Sequence, residues 1–293
     1  MASVMVVGGT TAVAAAAEPA PAAEQIRLRI GQYNLPGADK LSRSTTRAKR
    51  ASSLIRRADL DVVVLNELVG PGRDGFGSRP SRFARTVARA LGDRWALVTP
   101  TTAHNENYVA YRRDRLTVVT QHPDQVVPGT GRGRARTMTS RHVTPVLLEE
   151  AASGRRLLVA ATHLVNDDRR GARKQAHAVG RIATRLAAGH PVVVAGDMNT
   201  SQRLTGLTRA GLKDARSHAR ARSNAEYATY VDYASRRASK QRRAVIDHVY
   251  VPRSWTVRRW TTVVDARRGA FRSPRPSDHL LVWASVTSDG KVA

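Results

Sequence analysis

The sequence contains no cysteine. A disulfide framework, a thiolate metal site and a cysteine nucleophile are therefore all excluded. Aromatic residues are scarce, at 5% of the chain, so a surface built on base stacking is not advertised. Long hydrophobic runs are missing too. The opening stretch, residues 4–17, is apolar, but it is too short and too rich in Gly and Thr to span a bilayer, and no later stretch approaches one. Acidic residues number 23 against 49 basic ones, and only six of the basic ones are lysines (positions 40, 49, 174, 213, 240 and 291). The net charge of +26 points to a polyanionic partner or substrate: nucleic acid, an anionic membrane surface or phosphate esters. An overall preference for Arg over Lys accounts for part of that charge equally well.

What is present suffices for a sizeable core. The chain has 293 residues, 41% of them hydrophobic, enough for one large α/β domain or two small ones. Residues 1–23 hold no Lys or Arg and run from the apolar stretch into Ala20-Pro21-Ala22-Ala23, like the apolar and cleavage regions of a secretory leader without its basic start. Secretion or residence in the cell envelope is the expectation, with residues 24–288 forming one domain and 289–293 a tail.

The most informative stretch is Val192-Val193-Val194-Ala195-Gly196-Asp197-Met198-Asn199. Four apolar residues in a row read as a strand buried on both faces. Gly196 lets the chain leave the strand or lets another backbone approach closely. A carboxylate and a carboxamide then stand two apart, costly to bury without a function. The same design recurs along the chain. Residues 25–34 alternate and end at Asn34. Residues 61–67 form a second apolar run ending in Glu67. A hairpin spanning 139–150 and 157–164 ends at His163. Residues 244–251 carry Asp247, and Ser277-Asp278-His279 leads into a last strand over 280–286. Helices are expected over residues 42–58, 81–91 and 168–188, where apolar residues recur at helical spacing, and a shorter one over 201–211. Short strands over 95–100, 107–112 and 116–122 read as antiparallel neighbours. Trp255 and Trp260, five apart on one strand, are expected on opposite faces.

Each polar strand end alone has an ordinary structural explanation. Six of them in one chain point to one site. The series Asn34, Asn66-Glu67, Thr162-His163, Gly196-Asp197-Met198-Asn199, Ile246-Asp247-His248 and Ser277-Asp278-His279 resembles the endonuclease/exonuclease/phosphatase superfamily, over about residues 28–286 and in the same order. That superfamily includes DNase I-like nucleases, exonuclease III-like repair enzymes, neutral sphingomyelinases and inositol-polyphosphate phosphatases. The resemblance implies an α/β four-layer sandwich, with two mixed sheets packed face to face and helices outside. It also implies a hydrolase that uses Mg²⁺ or Mn²⁺ to drive water onto a phosphate ester.

On that resemblance, Asn34, Glu67 and Asp278 belong with the metal. Asp197 deprotonates the water and Asn199 fixes its geometry. His279, held by Asp247, contacts the scissile phosphate, and His163 contacts phosphate or protonates the leaving group. The position before Glu67 is usually Gln in that superfamily, and here it is Asn66. The exonuclease III-like branch tends to carry Tyr where His163 stands, which argues against abasic-site repair. His248 alternates to the face opposite Asp247 and reads as structural. Three Arg-dense stretches, represented by Arg136, Arg243 and Arg272, are candidates for tracking a phosphate backbone. The expected enzyme is a monomeric, secreted, DNase-like nuclease without stable membrane insertion. Its alternatives are a phosphatase or sphingomyelinase-like diesterase of the same fold, or an inactive polyanion-binding module.

Overall fold

The computed structural model describes residues 25–36, 44–68, 81–102, 105–129, 140–166, 169–240 and 244–289. The leader expected over residues 1–23 lies outside them, as do Arg136 and Arg243. In chain order the described elements are β1 (Arg27–Asn34), α1 (Ser44–Arg57), β2 (Val62–Asn66), α2 (Arg82–Leu91), β3 (Trp95–Val98), β4 (Tyr108–Arg112), β5 (Leu116–Gln121), β6 (Gln125–Val127), β7 (Arg141–Glu150) and β8 (Arg156–His163). They continue with α3 (Arg169–Ala187), β9 (Val192–Asp197), α4 (Thr205–Arg209), β10 (Leu212–Asp214), α5 (Ala215–His218), β11 (Ala221–Ser223), β12 (Asp247–Pro252), β13 (Thr256–Thr262), β14 (Ala266–Arg267), β15 (Ala270–Phe271) and β16 (Val282–Thr287). No described helix is long and apolar enough to cross a membrane.

Two mixed sheets form, in the orders β11-β13-β16-β1-β2-β4-β3 and β10-β12-β9-β8-β7-β5, with β6 on β7. Strand alternation explains the layering. On β1, β2, β8 and β9, Leu28, Ile30, Val62, Val64, Leu157, Val159, Val193 and Ala195 meet in a core between the sheets. Their neighbours face outward. Val63 and Leu65 pack with Ala51, Ile55, Phe83 and Val87 of α1 and α2. Leu158, Ala160 and Val194 pack with Ala172, Ala176, Val179 and Ala183 of α3. The result is the expected sandwich: helices, sheet, sheet, helices.

Two expectations about neighbours fail. β3 and β4 pair, but β5 leaves them and pairs with β7 in the other sheet. Alternation fixes the face of a strand, not its partner. Trp255 and Trp260 both enter the inter-sheet core. The register of β13 against β16 shifts between Val257 and Arg259. The extra residue of such a bulge reverses the alternation, so the buried positions run 255, 257, then 260, 262.

Gly196 is resolved as a close approach. It pairs with Thr162 on the parallel neighbour β8, and a β-carbon there would stand 1.8 Å from the Thr162 carbonyl oxygen. Two central strands would have to part. Gly196→Ala is expected to cost about 3 kcal/mol, the upper range for overpacking, and to lower Tm by about 6–12 °C in a domain of this size. Thermal unfolding followed by circular dichroism measures this, and an unchanged midpoint would refute the contact.

Candidate active site

The inward-facing parity that fills the core also builds the site. Continued to the strand ends, it carries Asn34 on β1, Asn66 on β2, His163 on β8 and Asp197 on β9. Register aligns them: Asn34 opposite Asn66, His163 opposite Asp197, and Asp247 opposite Asp197. Because β12 runs antiparallel to β9, Asp247 is at the start of its strand yet lies beside the end of β9. The apolar core thus turns polar at one end of the sandwich.

Asp197 sits at the centre. Its Oδ1 accepts the Asn199 backbone N–H (2.9 Å) and its Oδ2 accepts Asn34 Nδ2 (3.1 Å). The Nε2 atoms of His163 and His279 each stand 3.6 Å from that same Oδ2. Each imidazole has its own carboxylate behind it: His279 Nδ1 is 2.8 Å from Asp247 Oδ2, and His163 Nδ1 is 2.6 Å from Glu106 Oε1. Asp247 is itself fixed by its backbone N–H on Thr229 Oγ1 and by Gln32 Nε2 on its Oδ1.

Burial works against charge on both histidines, but the carboxylates outweigh it. Asp247 and Asp197 push His279 up to about 10, and Glu106, with Asp197 and Glu67, pushes His163 up to about 9. Both are imidazolium at neutral pH. Burial, offset by the charge of His279, raises Asp197 above the usual carboxylate range. Burial likewise raises Glu67, against the pull of His163. Glu106 is also desolvated, but the His163 charge prevails and lowers it.

Glu67 follows β2 with φ of 59°, a left-handed conformation that Glu rarely adopts. That strain, about 1 kcal/mol or more, aims its carboxylate at Asn34, whose Nδ2 donates to Oε1 at 2.9 Å. Asn34 Oδ1 is buried and has no hydrogen-bond partner. An orphaned amide oxygen beside a carboxylate is a hard-oxygen donor pair suited to a Mg²⁺-type cation. Ligand atoms of Glu67, His163 and Asp197 lie within 4.8 Å of one another, as do those of Asp197, Asp247 and His279.

Asn199 lies at the rim, its side chain donating to Leu164 O (2.8 Å). Asp278 is not in either cluster; its Oδ1 is 3.3 Å from Ser277 Oγ, and its charge acts on His279. Arg272 does not join the site: its Nε is 3.8 Å from Asp265. Asn66 does more than stand in for Gln. It donates to Asn107 Oδ1 and Thr162 O, and accepts from Gln32 Nε2 and the Asp197 backbone N–H, tying the two sheets together beneath the site. His248 faces away, as expected, with Nε2 3.1 Å from Thr200 O and Nδ1 3.5 Å from Asp214.

Glu106 was not foreseen. The signal for it is Asn105-Glu106-Asn107 just before β4. That strand is antiparallel to β2, so its first residues lie beside the end of β2.

A model of the endonuclease/exonuclease/phosphatase family matches residues 31–279. Among solved structures, a Bacteroides thetaiotaomicron protein of that family superimposes with a TM-score of 0.73 at 17% identity, over 91% of this chain and 96% of that one. The mannosyl-6-phosphatase of B. thetaiotaomicron superimposes with a TM-score of 0.68 at 18% identity, over 88% and 99%. D. rerio TDP2 complexed with a single-strand DNA product gives 0.58 at 14% identity, over 89% and 98%. Likeness at these identities shows the fold. No curated protein matches the chain.

Proposed function

The chain belongs to the endonuclease/exonuclease/phosphatase family, and on that premise we propose that it is a Mg²⁺-dependent phosphodiesterase cleaving nucleic acid as a secreted, DNase-like nuclease. The observation that carries this reading is Asp197 flanked by two imidazolium groups, each backed by its own carboxylate. Diester hydrolysis needs a base for water, charge on the phosphoryl oxygens and a proton for the leaving oxygen. One carboxylate and two imidazoliums supply all three.

Asp197 takes a proton from the water as its oxygen bonds to phosphorus. His279 Nε2–H donates to a non-bridging oxygen, stabilising charge as it grows there, with Asp247 keeping the ring charged. As the bond from phosphorus to the leaving oxygen breaks, His163 gives that oxygen its Nε2 proton. The products are a phosphomonoester and an alcohol. Glu67 and Asn34 Oδ1 would hold a divalent cation, whose chemistry there would be Lewis-acid stabilisation of charge on the phosphoryl oxygens.

The net charge of +26 supports a polyanionic substrate. The neighbour with a DNA product is consistent with it, and the sugar phosphatase neighbour supports the runner-up, a phosphatase of the same fold. The apolar, Ala-rich residues 4–17 support secretion.

Purified protein with Mg²⁺ is expected to nick plasmid DNA, and EDTA to stop it until Mg²⁺ is restored. The same protein is to be assayed on RNA, sphingomyelin, inositol phosphates and sugar phosphates. Absence of nicking, with turnover of one of the others, would overturn the substrate assignment.

A further inference from the structure

The loop that Arg272 was expected to present to substrate forms, instead, one wall of a separate cleft. The opposite wall is α1. The cleft has a volume of about 470 Å³ and is lined by Arg50, Arg57, Arg267 and Arg272 around Asp265. We propose that it is an anion subsite that takes a backbone phosphate of a nucleic acid, some distance along the strand from the scissile one. The proposal rests on the phosphodiesterase reading and deepens it, since a small phosphomonoester would not reach the cleft.

Four arginines and one aspartate line it, leaving three positive charges in excess. Arg50 is largely buried and holds Asp265 Oδ2 through Nε (3.1 Å) and Nη2 (2.9 Å), while its Nη1 reaches Pro274 O (3.3 Å). Arg57 and Arg272 stand 3.8 Å from Oδ1, within ion-pair range but beyond a hydrogen bond. Their donors are therefore left for an incoming oxygen, and a guanidinium fork matches a phosphate. In a second cleft, lined by Arg29, Arg112 and Arg115, the guanidinium groups are already engaged by Asp59, Asp61, Asp114 and Glu150.

Hydrogen bonds connect α1 and the loop that carries Arg272 to the segment that carries His279. Arg47 donates to the Arg275 carbonyl, Arg275 Nη2 to Val231 O (2.7 Å), and the Val231 N–H to Asp278 O (2.6 Å). Tyr230 bridges His279 in backbone pairing and stacks edge-on against its ring. Arg272 stands seven positions before His279, at most about 25 Å of chain. At 3.4 Å per phosphate along one strand of a B-form duplex, that is a reach of at most about seven nucleotides.

The test uses Arg57→Gln/Arg267→Gln, since both side chains are exposed. Binding of a fluorescent DNA strand of about 20 nucleotides, longer than that reach, is measured in EDTA across a salt series. Turnover of the same strand and of bis(4-nitrophenyl) phosphate is measured with Mg²⁺. The expected result is a Kd and KM for the strand raised about 5- to 30-fold and a log–log salt slope shallower by about 1 to 2. Turnover of the small diester is expected to stay unchanged, and Arg57→Lys/Arg267→Lys to restore the slope.

Wild-type protein that hydrolyses both esters, with a double variant that keeps its affinity and slope, would remove the subsite and keep the phosphodiesterase. Wild-type protein that hydrolyses neither ester, with a double variant that loses the strand, would do the reverse. Equal loss on both esters, or loss of binding to phosphatidylserine vesicles with DNA binding intact, would also overturn the subsite.

Discussion

Asp197→Asn is expected to lower kcat by about 10³- to 10⁴-fold, or about 4–5.5 kcal/mol of barrier, with little change in Tm. The substitution keeps the shape and removes the base. It also creates a conflict that no rotamer relieves. With its NH₂ in the place of Oδ2, Asn would face three donors: Asn34 Nδ2 and the Nε2 atoms of His163 and His279. Flipped, it would turn the NH₂ onto the Asn199 backbone N–H that Oδ1 now accepts. Loss of the charge also withdraws one of the groups that keep both histidines protonated. Stability is spared because the buried carboxylate is itself unfavourably desolvated, so removing it relieves one cost while adding another. Steady-state kinetics on plasmid DNA, beside a melting curve, measure both. A variant keeping a tenth of the activity would remove Asp197 from the role of base.

The site was legible in the sequence to the extent that it obeys strand geometry. Asn34, His163 and Asp197 end apolar strands at positions of inward parity, and that parity is readable without coordinates. Asp247 was found because the strand it opens is strongly apolar. Glu106 lies two residues before a strand, but β4 was read only as one of several short strands. Which end of β4 meets the end of β2 depends on pairing, which periodicity does not encode. The same gap hid the passage of β5 to the second sheet. The shared orientation of Trp255 and Trp260 was hidden differently, because a bulge changes parity with no turn residue to announce it. For Asn66 the residue was visible, but not its four partners on β1, β8, β9 and the segment before β4. Arg272 was judged by its distance in sequence from Asp278. Its actual partner, Asp265, holds it on the α1 side.

His163→Gln is expected to separate DNA from an activated ester. On DNA the leaving oxygen is that of a sugar alcohol, a poor leaving group without a proton, so kcat is expected to fall about 10²- to 10⁴-fold. On bis(4-nitrophenyl) phosphate the leaving phenolate departs without protonation, and the loss is expected to stay below about 10-fold, leaving only the phosphate contact. The pH profile gives an independent reading. Glu106 and Asp197 hold His163 up to about 9. The acid form therefore persists through neutrality and is lost as pH rises through about 9, which puts a falling limb there for DNA. In His163→Gln that limb is expected to move up to about 10, where His279 loses its own proton. In Glu106→Gln it is expected to shift to lower pH, because the nearest charge that favours the imidazolium is gone, although Asp197 and Glu67 remain. Equal losses on the two esters, or a DNA profile in His163→Gln whose basic limb stays near 9, would show that His163 binds phosphate without supplying the proton. The acid would then have to be His279, whose pairing with Asp247 gives it the same competence at a higher pH.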